Sequence, residues 1–404
     1  MTVPGASPSG APAAPMKIAM VSGPADPLAE PGEAGADGRN VHVAELAAAL
    51  TRAGHDVTVH THHQAPGEPA ELRAPRGYRV VRGPVHEDDL PGTGEFGGFL
   101  RDRWAADRPD VVHAHSWTSG LAAALAANTT GTPVAHTFHG LGVAEQRHLG
   151  ARETGPADRV RMERLLARRA GLVLATGADE VFTLAGFGVP RSRISIVPGG
   201  VDLERFTPDG PVARRRAAHR LVAVGPVVPR KGFDLVLAAL ARLPDTELVI
   251  AGHPEPAEAA RLRALADRLA VGHRVSWPGR VSRADLPALL RSADVVVCAP
   301  RYEPFGLVPL EAMACGVPVV ATAVGGLTDT VVDGVTGLLV RPNQPKELAS
   351  RLRRLIEDPA LCHAYGTAGH DRVVARYSWD RVAADTLRAY RQLVPETTFT
   401  AEAR

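Results

Sequence analysis

The sequence predicts an α/β protein built from two doubly wound, Rossmann-like parallel sheets that face each other across a cleft. Three observations lead there. Short apolar runs alternate with longer stretches of helical period along most of the chain, the pattern of strand-helix-strand units. That pattern is interrupted between Pro198 and Pro211, a turn-rich stretch without apolar periodicity that reads as a connection between domains. The length, 404 residues, exceeds what one hydrophobic core sustains, so two domains are expected.

Residues 1–15 are Ala, Pro, Gly and Ser with Pro4, Pro8, Pro12 and Pro15, and they lack the charged and apolar regions of a leader. A disordered tail is expected there, with the fold opening at Met16. In the first domain, 16–205, the spacing predicts strands at 17–22, 56–61, 111–115, 133–137, 172–176 and 194–197. Val43, Leu46 and Leu50 share one helical face, and Gly54 stands where a left-handed cap is wanted. The second domain, 206–377, repeats the scheme with strands at 221–224, 248–251, 275–277, 295–299, 319–322 and 338–340 and helices such as 256–270 and 283–292.

Bulk composition removes several function classes. Net charge is +2, and no long basic run is interleaved with aromatics, so nucleic acid is not an expected partner. Cys298, Cys315 and Cys362 are odd in number and lack C-x-x-C spacing, which argues against a disulfide framework or thiolate metal site and for thiols in a reducing cytoplasm. No apolar run is long enough to span a bilayer, which leaves peripheral membrane contact open. In open parallel sheets ligands bind beyond the carboxyl ends of the strands, so the chemistry belongs in the strand-to-helix loops.

The most informative segment runs from Glu303 to Ala321, E-P-F-G-L-V-P-L-E-A-M-A-C-G-V-P-V-V-A, directly after a strand. Pro309 fits the first turn of a helix and Gly316 its terminal cap, which puts Glu311 in the first turn. Free N–H groups and the positive end of the helix dipole suit that terminus to a diphosphate, and Gly306 has no side chain to block it. Carboxylates would repel phosphates, so Glu303 and Glu311 are assigned to hydroxyls, of a sugar and a ribose respectively. A second segment carries Pro229-Arg230-Lys231-Gly232 between a strand and a helix. Two cations at a helix start oppose the dipole unless an anion lies there.

These segments resemble family 4 of the retaining glycosyltransferases, which have the GT-B fold and a Glu-x7-Glu signature. The likeness runs from about Lys17 to about Tyr390 and is strongest from Asp294 to Val340. It implies that Glu303 contacts the donor sugar, that Glu311 holds the nucleotide ribose, and that the backbone of Phe305, Gly306 and Leu307 binds phosphate. It also implies that Arg230 and Lys231 hold the diphosphate. In Asp37-Gly38-Arg39-Asn40-Val41, Gly38 and Asn40 match the family, whereas Asp37 replaces its first glycine. In T-F-H-G-L-G, His139 matches a histidine that contacts the transferred sugar.

The resemblance further implies transfer of a hexose-type sugar from a UDP- or GDP-linked donor, as co-substrate, to a hydroxyl of a small-molecule, glycan or lipid-linked acceptor. Retention by front-face attack, domain closure on the donor, and no resident metal or other cofactor are expected with it. Similar folds return their last helix to the first domain, and 378–404, with a helix at 378–393, is that segment here. A nucleotide-sugar epimerase and a non-catalytic nucleotide-sugar binder share the same plan. No G-x-G-x-x-G follows the first strand, which speaks against a dehydrogenase.

Three smaller features remain. His113 and His115 share one strand face and could in principle bind a metal, but no carboxylate or Cys completes a ligand set, so a sheet-edge hydrogen bond is expected of them. Arg147, His148, Arg152 and Glu153 either touch an acceptor or face solvent, and Gly325-Gly326-Leu327 reads as a tight turn at the same sheet edge.

Overall fold

The computed structural model describes residues 14–29, 38–64, 67–84, 92–150, 156 and 158–394. The tail at 1–13, Asp37, Arg152 and Glu153 lie outside them. The first sheet comprises β1 (Lys17–Val21), β2 (Asp56–His62), β3 (Glu71–Arg73), β4 (Arg79–Gly83), β5 (Val111–His115), β6 (Val134–Thr137), β7 (Leu172–Ala175) and β8 (Ile194–Ile196), in the order β3-β4-β2-β1-β5-β6-β7-β8. The second comprises β9 (His219–Val224), β10 (Thr246–Ala251), β11 (Val275–Gly279), β12 (Val295–Cys298), β13 (Val319–Thr322) and β14 (Gly337–Val340), in the order β11-β10-β9-β12-β13-β14. Every pairing is parallel except β3 with β4.

The central strands are apolar because helices cover both their faces. Ile18, Met20, Val57 and Val59 of the first sheet are buried against Val43, Leu46 and Leu50 of the helix Gly38–Arg52. That helix ends as its sequence requires: Gly54 has φ 91°, and the His55 amide returns to the Leu50 carbonyl over 3.2 Å. In the second sheet Leu221, Leu248, Val295 and Val297 are buried against Phe233, Val236 and Leu240 of the helix Phe233–Leu240.

Strand order reverses between β1 and β5 in one sheet and between β9 and β12 in the other. The loops leaving these four strands therefore open onto the crevices where ligands of doubly wound sheets bind. The chain passes between the sheets beside its own return path, since the Val201 amide donates to the Tyr377 carbonyl over 2.8 Å. Ser378 then caps the helix Trp379–Tyr390 through the Arg381 amide. Trp379, Val382, Leu387 and Tyr390 of that helix are buried in the core of the first sheet, and Arg52 pairs with Asp380 at 2.8 Å.

Two strands escaped the sequence reading. β3 is a three-residue edge strand. β4 carries Arg79 and Arg82 inside its apolar run, and Arg82 is buried because it pairs with Asp26 at 3.0 Å. Other strands agree in position and differ by a residue or two at their ends, which is where strands fray.

Candidate active site

The two loops that carry the charge signature meet. Lys231 Nζ lies 2.6 Å from Glu303 Oε2, and Arg230 Nη1 donates to the Tyr302 carbonyl over 3.2 Å. Burial pushes the Glu303 carboxyl upward, but the charges of Lys231 and Arg230 with the Lys231 hydrogen bond overcome it and hold it below the usual carboxylate range. Arg230 and Lys231 are not at the helix start that the sequence suggested. They occupy a 3-10 turn, Pro229–Lys231, and the helix begins at Phe233 after Gly232, whose φ is 66°. The glycine is required by packing as well, because a Cβ there would lie 2.0 Å from the Ala299 carbonyl oxygen.

The helix after β12 is Leu307–Ala314, opening two residues before Pro309. Gly306 takes φ 77° at its entry and has no side chain to cap the helix, and its backbone amide faces the Glu303 carboxylate. Glu311 accordingly lies in the second turn, a correction to the first-turn position expected from Pro309. It is buried and accepts a hydrogen bond from Arg283 Nη1 at 3.0 Å. Burial raises the Glu311 carboxyl and the Arg283 guanidinium only partly offsets the rise.

Gly325 and Gly326 do more than turn the chain. A Cβ on Gly325 would lie 2.3 Å from the Glu303 carbonyl oxygen, one on Gly326 2.6 Å from that of Pro304, and the Gly326 amide donates to Glu303 O over 2.9 Å. The glycines let this loop press against the Glu303 segment and fix it.

From the first domain, His139 follows β6 in the left-handed region, φ 59°, rare for a side chain of its size. Its Nε2 is 2.9 Å from His115 Nδ1, and its ring lies 5.7 Å from that of Phe305 across the domain boundary. His113 is structural: Nδ1 pairs with the Tyr390 hydroxyl at 2.7 Å and Nε2 with Thr137 Oγ1 at 2.9 Å. Gly38 opens its helix opposite Leu307, whose Cδ1 would stand 3.8 Å from an added Cβ, so packing does not demand the glycine. The Asn40 amide is committed to the Ala29 carbonyl at 2.8 Å, shaping the loop after β1.

Gly38, Asn40 and His139 from one domain and Arg230, Lys231, Glu303, Phe305, Gly306, Leu307 and Glu311 from the other line one cavity of about 1200 Å³. His113 and His115 stand behind it. Sequence reasoning missed Arg283, the partner of Glu311, and Arg159, which also lines the cleft. Arg159 grips Glu145 at 2.8 Å and Glu163 at 2.7 Å, holding the loop after His139. Of the smaller acceptor-side features, Arg147 is exposed near Asp179, and His148 stacks on Tyr302 with ring centroids 5.3 Å apart. Burial raises the thiols of Cys298 and Cys315 to about 12 and that of Cys362 to about 11, so all three are inert thiols.

Comparison with known proteins decides the family. The profile described as Glycosyltransferase Family 4 matches residues 36–205, and that of Glycosyl transferases group 1 matches 214–372. The D-inositol 3-phosphate glycosyltransferase of Xylanimonas cellulosilytica is 35% identical over 93% of this chain and 96% of its own. The chain belongs to glycosyltransferase family 4. The enzyme of the same description from Mycobacterium tuberculosis is 34% identical over 95% of this chain and 84% of that one. Among solved structures, sucrose-phosphate synthase from Thermosynechococcus elongatus superimposes with a TM-score of 0.84 at 31% identity, covering 93% of this chain and 98% of that one. Anabaena HepE, solved with UDP and glucose, shares the GT-B fold at a TM-score of 0.77 and 20% identity, covering 93% and 100%. This family 4 glycosyltransferase is thus a GT-B enzyme, and no helix among its described residues is long and apolar enough to cross a membrane.

Proposed function

We propose that this glycosyltransferase moves a hexose-type sugar from a UDP- or GDP-linked donor to a hydroxyl acceptor with retention of configuration. The observation that carries the reading is the contact of Lys231 with Glu303 beside the start of the helix Leu307–Ala314. Cations and a helix N-terminus converge there, as a diphosphate requires, while each of the two carboxylates has a basic partner of its own.

In this reading Arg230, Lys231 and the amides of Phe305, Gly306 and Leu307 take the diphosphate. Glu311, steadied by Arg283, takes the ribose hydroxyls. Glu303 and His139 take the sugar, with Gly38 and Asn40 closing the first-domain side. The bond from the anomeric carbon to the diphosphate breaks with its electron pair going to the phosphate oxygen. The acceptor oxygen bonds the same face of that carbon, and its proton passes to the departing diphosphate. The protein cations stabilise that charge, so the reaction needs no resident metal or other cofactor. The domains close on the donor, joining His139 to the phosphate site.

The names of the curated relatives make a small phosphorylated polyol the first acceptor to try, with glycans and lipid-linked sugars after it. All three cysteines are free thiols, which agrees with work in a reducing cytoplasm. The test is a thermal-shift screen of nucleotide sugars followed by NMR of the product formed from the best donor. A raised melting temperature and a retained anomeric configuration are expected. An inverted product rejects front-face attack, and failure of every nucleotide sugar to stabilise the fold rejects the donor assignment.

A further inference from the structure

Three histidines from three elements of the first domain meet at the back of the cleft. His42 comes from the helix Gly38–Arg52, His115 from the end of β5 and His139 from the loop after β6. One ring nitrogen of each lies within 4.8 Å of those of the other two. Burial drives all three well toward the neutral imidazole, the form with a lone pair to donate.

His42 and His115 are 3% and 1% exposed, and His42 Nδ1 and His115 Nε2 are buried with no hydrogen-bond partner. Buried ring nitrogens are ordinarily satisfied, so two orphans in one cluster point to a group that meets them. The neighbouring histidines supply the contrast. His113 has partners on both nitrogens, and His136 Nε2 is 3.0 Å from the Ser116 carbonyl.

We propose that His42, His115 and His139 form a binding site for a divalent transition ion of the zinc class, and that the ion, once bound, withdraws His139 from the cleft. Three imidazoles suit zinc or copper and not the oxygen-seeking magnesium or calcium. The ion takes lone pairs from the two orphan nitrogens, His42 Nδ1 and His115 Nε2, and a third from one ring nitrogen of His139. Of the three, only His139 lines the cleft, so a fourth position faces the cavity and is free for water or a hydroxyl. The site is distinct from the phosphate-binding loops and takes no part in the transfer. Its effect on turnover rests on the proposed contact of His139 with the sugar, whereas the binding itself does not.

The experiment uses the full chain after treatment with a chelator, titrated with zinc chloride by calorimetry and with cobalt chloride by visible absorption. Cys298 also lines the cleft, so Cys298→Ser is run in parallel. One equivalent of zinc is expected in the parent and in Cys298→Ser. His42→Gln and His115→Gln should each weaken it at least about tenfold, since loss of even an outer partner of a ligating histidine costs that much. Cobalt should give d–d bands without a thiolate charge-transfer band. Absence of saturable binding, affinity undiminished in both histidine variants, or a thiolate band overturns the site. If either variant fails to fold, the cobalt spectrum of the parent decides. Zinc that binds by these criteria yet leaves transfer unaffected upholds the site and overturns the contact between His139 and the sugar.

Discussion

Glu303 Oε2 accepts a hydrogen bond from Lys231 Nζ over 2.6 Å and so joins two loops 72 residues apart in the chain. The pair sets the charge state of the site as well as its shape. Glu303 is partly buried, and without a cation beside it burial alone would favour its protonated form.

Lys231→Met should therefore do two things. Loss of a cation at the diphosphate lowers kcat/KM by about a hundredfold or more. The Glu303 carboxyl, released from the charge that depresses it, protonates at higher pH, so the acid limb of the pH-rate profile moves upward. Steady-state kinetics across pH checks both effects. An acid limb that stays in place would show that Glu303 does not report on Lys231.

Arg283 and Glu311 form a second pair with a different balance. Here burial prevails and the carboxyl is raised despite the guanidinium at 3.0 Å. Arg283→Met leaves that carboxylate without its partner and should cost about 3 kcal/mol of stability at neutral pH, the usual scale for breaking a buried pair. The sign follows from linkage: a carboxyl raised in the folded state favours folding less as pH rises through its folded pKa. The loss in Arg283→Met should therefore shrink on acidification, and donor affinity should fall with it. Chemical unfolding at two pH values and a donor titration measure this, and an equal loss at both pH values counts against the pairing.

The central strands were legible because burial on both faces leaves the run almost wholly apolar, as in Val295–Cys298 and Val319–Thr322. β4 was hidden because Arg82 is satisfied by Asp26, 56 residues away, which no local pattern reveals. The charge signature of the site was equally local, since Glu303 and Glu311 lie within nine residues of one another and Arg230 and Lys231 are adjacent. The start of the helix at Leu307 was not legible, because the left-handed turn at Gly306 depends on the Gly325-Gly326 loop packed against the Glu303 segment. Arg283 and the histidine cluster became visible only once the fold had joined separate strands.

Gly325→Ala tests that dependence. The residue has φ 49°, and the added methyl would sit 2.3 Å from a backbone oxygen that cannot rotate away. We expect a lower melting temperature together with weaker donor binding, because the Glu303 loop must shift. Unchanged donor affinity in a folded variant would separate the glycine from the site.

Tyr390→Phe addresses the strap that returns to the first domain. It removes the hydroxyl 2.7 Å from His113 Nδ1 and leaves a buried ring nitrogen unsatisfied, at a cost of about 1 to 2 kcal/mol. Neither residue touches the cleft, so kcat well below the new melting temperature should match the parent. A stability loss accompanied by a comparable loss of kcat would mean that the C-terminal helix also governs the site.

Glu180 provides the clearest pH dependence. It is buried at the start of the helix Ala178–Gly186, and Oε2 accepts from the Thr176 amide at 2.7 Å and its hydroxyl at 2.8 Å, while Oε1 has no partner. Burial is the main cause that raises it, from 4.5 to about 7, against those two hydrogen bonds. The folded state thus holds its proton more tightly than the unfolded state does. This contribution to stability is full below pH 4.5 and is lost as pH rises through about 7. Glu180→Gln keeps an acceptor for Thr176 and cannot ionise, so it should flatten the fall in melting temperature between pH 5 and pH 8. At pH 8 the variant should be at least as stable as the parent, and a variant that follows the parent curve throughout would show that Glu180 does not titrate in this window.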